Sequence, residues 1–214
     1  MVALEVLEEK PDQQRRLAEV AGRARPVVEA AQRLITVPGP LGEALPGGGL
    51  RRGSVVTVAG APGAGATSIM LTLAAAVTEV GEWAVVVDAG GTLGGRAAAE
   101  AGIVLERFAV VRRAPPDRWA TVVAALLDGF TFVAAEVPPY CRATHARRLI
   151  ARARERGAIV AALGGWPAEA AARLQATGSQ WSGLGRGNGL LERADVQVQV
   201  DARGAPVNTI LRAG

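Results

Sequence analysis

Ser54-Val55-Val56-Thr57-Val58-Ala59-Gly60-Ala61-Pro62-Gly63-Ala64-Gly65-Ala66-Thr67-Ser68-Ile69-Met70-Leu71 decides the fold. Its first six residues form a mostly apolar run of strand length, and the run after Thr67 has helical character. Between them lies a glycine-rich turn. The spacing from Gly60 to Thr67 matches the phosphate-binding pattern G-x-x-x-x-G-K-[ST], in its required place between a buried strand and a helix N-terminus. Glycines let successive backbone N–H groups point inward, and the helix dipole adds positive potential there. The lysine position, however, holds Ala66. That lysine would face the terminal phosphates, and losing a charged hydrogen bond costs about 1.5–3 kcal/mol. Thr67 keeps a hydroxyl suited to magnesium. Two readings of Gly60, Gly63, Gly65, Ala66 and Thr67 follow. They are a vestigial phosphate loop that still accepts phosphate through backbone N–H groups, or a turn kept because the fold needs it.

Working outward, strands and helices alternate from about residue 50. The pattern predicts strands over 54–59, 83–88, 108–111, 130–134 and 158–163. It predicts helices over 67–80, 96–101, 117–127 (Asp117 as N-cap) and 142–156. Such alternation implies crossovers and a largely parallel central sheet flanked by helices. Residues 195–201 instead alternate, with Val196, Val198 and Val200 inward. A turn at 203–206 and a returning strand at 207–211 then make a C-terminal antiparallel hairpin. Residues 1–36 read as an N-terminal helical extension. Leu17, Val20, Val27, Val28, Ala31 and Leu34 recur at helical spacing, and Pro26 splits the segment. Residues 37–48 read as a Pro/Gly linker, which leaves 49–214 as the core.

Composition narrows the function classes. Half of the 214 residues are hydrophobic and 21% are charged, so the chain can bury a core. No apolar run is long enough for a bilayer, and Met1 to Lys10 shows no basic segment before an apolar stretch. No membrane association and a cytoplasmic location are therefore expected. The single Cys141 and single His145 exclude an internal disulfide and a multi-cysteine or two-histidine metal site. Cys141 has no histidine–carboxylate constellation to activate it, and His145 reads as a surface residue. Lys10 is the only lysine, leaving 23 arginines. A net charge of +4 permits nucleic-acid contact without demanding it.

Gly49-Leu50-Arg51-Arg52-Gly53-Ser54-Val55-Val56-Thr57-Val58-Ala59-Gly60, with the turn and helix after it, resembles the start of the RecA recombinase ATPase core. Trp83 to Gly90 is similar to that family's second core strand, which ends Asp-Ala-Glu. The segments Ala99 to Phe108 and Ser182 to Leu190 resemble the next helix and strand and the end of the second DNA-binding loop. The resemblance covers about residues 40–214 and implies a RecA-like core. Its departures concern chemistry. Gly90 stands where the family has the acidic residue that activates water. Val133-Ala134-Ala135-Glu136 stands where a magnesium-binding aspartate ends a strand, and Gly164-Gly165 where a nucleotide-sensing glutamine follows one. Phosphoryl transfer needs such parts together, so the resemblance implies a pseudo-ATPase with no catalytic residue, no metal and no cofactor.

A lysine-poor relative with an N-terminal extension is similar to the ImuA-prime type accessory proteins of actinobacterial mutasomes. That resemblance implies an adaptor for a Y-family polymerase homologue of the ImuB type. Through it the adaptor would reach an error-prone C-family DNA polymerase, in SOS-induced translesion synthesis. A nucleotide-gated DNA-binding RecA paralogue and a SulA-like inhibitor of cell division are the alternatives. Leu17, Val20 and Val28 form one candidate partner surface, for self-association or another protein, or else fold back on the core. Leu190 and Leu191 with the C-terminal hairpin form another, as an edge open to strand addition or as ordinary sheet closure. Weak single-stranded DNA binding has two candidate sites. One is a basic helix carrying Arg148 and Arg152 on one face, whose arginines repel without an acidic partner, unless it is simply a solvated face. The other is a loop with Trp181 and Arg186, where Trp181 stacks a base or packs on the sheet.

Overall fold

A computed structural model describes residues 2–5, 34–112, 115–184, 189–202 and 204–213. The apolar run at 54–59 becomes strand β4 (Val55–Gly60), and every one of its first four side chains is buried. Burial on both faces is what a central parallel strand requires. The strands that join it are β5 (Ala84–Asp88), β6 (Phe108–Arg112), β7 (Phe132–Glu136) and β8 (Ile159–Leu163). With β1 (Val2–Glu5), β9 (Ala172–Leu184), β10 (Gly189–Asp201) and β11 (Val207–Ala213) they make a nine-stranded sheet. Its order is β1-β6-β5-β7-β8-β4-β9-β10-β11. Neighbours from β1 to β9 run parallel, whereas β9, β10 and β11 are antiparallel.

Two cores form, one on each face. On the first, α2 (Ala66–Glu79) and α3 (Gly95–Glu100) pack over Val58, Val86, Val110, Ala134 and Leu174. The second is built from Val85, Val111, Val133 and Val160 with α4 (Trp119–Leu126) and α5 (Ala143–Arg156), whose Val123 and Leu149 are buried. Phe108 and Phe132 are fully enclosed, each contributing about 1.5–3 kcal/mol by leaving water. The expected α/β architecture with flanking helices and an antiparallel C-terminal hairpin is present.

Several elements differ from expectation. Val2–Glu5 is a strand beside β6, not part of a helix, and Leu34–Thr36 is strand β2, paired antiparallel with β3 (Gly49–Arg51). Leu17, Val20 and Val28 lie outside the described residues. The stretch 37–48 holds a short helix, α1 (Gly39–Ala44), and a 3-10 turn at Pro46–Gly48. Val37, Leu41 and Leu45 are buried in the first core, so the apolar residues spaced through the prolines and glycines anchor this segment. Asp117 is not the N-cap of α4. It sits in a 3-10 turn, Pro116–Arg118, ahead of the helix, and Arg118 takes the cap position, its side chain not bonding the helix N-terminus as a cap. Strand β7 starts two residues later than expected, because Gly129 and Phe130 still bond back to the end of α4.

Strand β9 was not anticipated. Its Ala172, Leu174 and Ala176 are buried while Arg173, Gln175 and Thr177 are exposed, a period-two alternation that marks a half-covered strand. It lies parallel beside β4 and then runs on as the first arm of a long hairpin with β10. Thr177 is an extra residue in that pairing, since Ala176 opposes Val198 and Gly178 opposes Gln197. A one-residue bulge reverses which side chains face the core. Beyond it Ser179 and Trp181 therefore share the face of Val196 and Ala194, their cross-strand partners.

Candidate functional site

The glycine-rich turn sits at the carboxyl end of β4 and leads directly into α2. Open α/β sheets bind ligands at the carboxyl ends of their strands, where connections diverge. Here the chain leaves β4 for β5 on one side, whereas β8 leads to β9 on the other. Gly65 is the N-cap of α2 with φ +104°, and Thr67 in the first turn is exposed. No residue from Gly60 to Met70 carries charge.

Two strands hold the turn. A Cβ on Gly65 would stand 2.6 Å from both methyl carbons of Val196, which is wholly buried on β10. A Cβ on Gly60 would meet that of Ala176 on β9 at 2.9 Å. The Ser179 hydroxyl donates to the Gly63 carbonyl at 2.8 Å. Both glycines that frame the motif are thus required by packing against β9 and β10, with or without a phosphate.

The other strand ends offer little to a magnesium nucleotide. Asp88, buried at the end of β5, accepts from the backbone N–H groups of Thr92 and Leu93 at 3.1 and 2.9 Å, so it folds the loop into α3. Gly90 is exposed in that loop, Glu136 is exposed at the end of β7, and Gly164 and Gly165 are exposed after β8. Among the described residues no cluster of three His, Cys, Asp or Glu side chains is arranged to hold a metal. Among the described residues, the turn carries no side-chain cation and Asp88 is taken up by its own loop.

The basic helix is α5. Its Ala146, Leu149 and Ala153 are buried, and Arg147, Arg148 and Arg154 are exposed. The expectation that its arginines lack an acidic partner fails at Arg152. That side chain grips Asp128 with two donors, Nε to Oδ1 at 2.9 Å and Nη2 to Oδ2. These bonds push the Arg152 guanidinium above its ordinary pKa. Arg156 Nε lies 3.0 Å from the same carboxylate, close enough for an ion pair. Asp128 lies just past α4, too far along the chain for local spacing to have revealed the pairing. Arg148 remains without an ion pair among the described residues.

Between α4 and α5 lies an open groove of about 680 Å³, lined by residues including Trp119, Ala124, Tyr140, His145 and Arg148. Sequence reading missed it, since nothing local marks a gap between two helices. Trp181 is not in a loop but on β9, 54% exposed, and it does not pack down on the sheet. Leu190 and Leu191 fall in β10 where the pairing slips between Gly189 and Arg193. Arg186 lies outside the described residues. The hairpin strands thus pack on the turn, while the groove lining holds no residue of either.

These observations define a three-layer α/β protein built around a strand–glycine turn–helix unit. A family model described as MT3502 N-terminal domain matches residues 43–168, more than half of the chain, and the chain belongs to that family. The matched span contains the glycine turn and the α4–α5 groove and stops before β9. No curated protein matches the chain. Among the described residues no helix is long and apolar enough to cross a membrane.

Proposed function

We propose that this chain is a RecA-like scaffold that does not hydrolyse nucleotide and works as an adaptor. The carrying observation is the glycine turn. It lacks a cation, and Gly60 and Gly65 are taken up by Ala176 and Val196. A central strand that ends in this turn, with parallel neighbours on both sides and an antiparallel hairpin at one edge, supports the RecA-like reading. The client is a Y-family polymerase homologue, and through it an error-prone C-family polymerase, in translesion synthesis. That assignment rests on the sequence resemblance.

Two measurements test the proposal. Purified protein with magnesium and ATP should release phosphate no faster than buffer, and Ala66→Lys should not change this, because activating base and metal ligand are still missing. A rate above background that vanishes in Thr67→Ala would overturn the pseudo-ATPase. Co-purification with the polymerase homologue tests the adaptor, and its failure with the full chain would overturn that part. The exposed Trp181 favours a second reading, contact with single-stranded DNA, because base stacking on an aromatic is worth about 1–3 kcal/mol. Trp181→Ala should then weaken binding to an oligonucleotide, and unchanged affinity would remove the reading.

A further inference from the structure

The nine-stranded sheet ends in two unlike strands. One end is β1, four residues long, and the other is β11, seven residues long. An edge strand presents unpaired N–H and C=O groups, and proteins blunt such edges with short strands, prolines, bulges or inward-pointing charges. Strand β11 has none of these devices. Pro206 stops just before it, and its pairing with β10 runs without a register shift from Val207–Val200 to Ala213–Ala194. Its inward positions Val207, Thr209 and Leu211 stand opposite the buried Val200, Val198 and Val196. Leu211 is buried in the first core, so the inward face is closed. The flank is not. Among the described residues β11 pairs with β10 alone, and no backbone hydrogen bond reaches it from another segment. Its outward residues Asn208, Ile210 and Arg212 are all exposed, Ile210 by 51%, and Val207 at the start of the strand is 47% exposed.

We propose that this edge is a seam between two copies of the chain, in which β11 pairs antiparallel with β11 of a second copy about a two-fold axis perpendicular to the sheet. The axis runs through Ile210, the midpoint of the strand. That register pairs all seven residues. Val207 meets Ala213 of the second copy, Asn208 meets Arg212, Thr209 meets Leu211, and Ile210 meets its own counterpart. Directly opposite residues share a face. Inward side chains therefore stay inward in both copies, the exposed Ile210 is covered, and Arg212 finds an amide and not a second cation. Moving the axis by one residue in either direction leaves part of the strand unpaired and sets Ile210 against Asn208 or Arg212. The strand is thus complementary to itself, as a two-fold contact requires, and this favours a second copy over a foreign strand. A seam made of one strand edge is small, so the dimer belongs to the weak class and forms at high protein concentration. The adaptor reading stands whichever way the seam is decided.

The test is sedimentation velocity of the full chain from about 5 to about 500 μM, over which monomer should give way to dimer. Ile210→Lys sets like charges face to face on the axis and should weaken the dimer about tenfold or more. Its Tm should stay within a few degrees, because the side chain it replaces already lies half in water. Asn208→Asp gives each Arg212 an opposite charge across the seam. It should strengthen the dimer several-fold at low salt, a gain that high salt removes. Cross-linking reads the register. In a Cys141→Ser background with diamide as oxidant, Ile210→Cys should yield a disulfide-linked dimer. Gln175→Cys, exposed on the same face two strands inward, should not. Monomer at every concentration would overturn the proposal and leave the edge to a strand of another protein. A dimer indifferent to both Ile210→Lys and Asn208→Asp, or one that cross-links equally in the Gln175→Cys and Ile210→Cys variants, would overturn it as well.

Discussion

At the scale of single residues, the glycine turn shows how one motif can be kept for a reason other than its chemistry. Gly65 combines a left-handed backbone with direct contact on Val196. Gly65→Ala should destabilise the fold by about 2–4 kcal/mol, joining a backbone cost of about 1–2 to an overpacking cost of similar size. Urea unfolding measures this. Adding Val196→Ala should recover the steric part, so the pair should be clearly non-additive, as residues in contact are. Additive effects would mean that the two do not touch. Cys141 gives a second residue-scale prediction. Partial burial pushes its thiol above the ordinary pKa. At pH 8 it should react with a disulfide reagent several-fold more slowly than free cysteine, and urea should abolish the difference.

At the scale of elements, the bulge in β9 decides what the hairpin does. Because Thr177 is one residue too many, Ser179 faces the glycine turn and not the opposite side. Ser179→Ala should cost about 0.5–1.5 kcal/mol for the lost bond. Deleting Thr177 should cost more, because it turns Ser179 and Trp181 over together, and thermal unfolding of both variants checks the order. The parallel core was legible from sequence because its strands are continuous apolar runs between helical stretches, and the predicted boundaries lie within two residues of those in the structure. Strand β9 was not. Its buried side chains include two alanines, Ala172 and Ala176, whose weak hydrophobicity hides the alternation. The ends of 1–36 and the stretch 37–48 misled for related reasons. Prolines and glycines there suggested a connector, while Val37, Leu41 and Leu45, spaced four apart, were burying themselves. Of the candidate site, the glycine turn could be read from spacing alone. The partners that occupy it, Val196 and Ser179, and the Asp128 that takes Arg152 are distant in sequence and visible only once folded.

At the scale of the whole molecule, two helices cover each face of the parallel sheet, while the antiparallel strands β9–β11 extend it on one side. The outward row Gln175, Gln199 and Asn208 runs across those three strands in register, a polar face unlike the valine-rich strands beyond β4. The span shared with the family stops at residue 168, at the doorstep of β9. Strand β9 meets β4 along five residue pairs, Val56 through Gly60. A protein cut at the family boundary would thus bare the backbone of β4, an interior strand of the intact sheet. Residues 34–168 made alone should self-associate or precipitate through that raw flank, and a supplied peptide spanning 170–213 should restore a monomer in size-exclusion chromatography. A well-behaved monomeric 34–168 fragment would show that the flank is sealed some other way. The hairpin region is accordingly a seal as much as an appendage, and any relative that lacks it must close the same seam with something else.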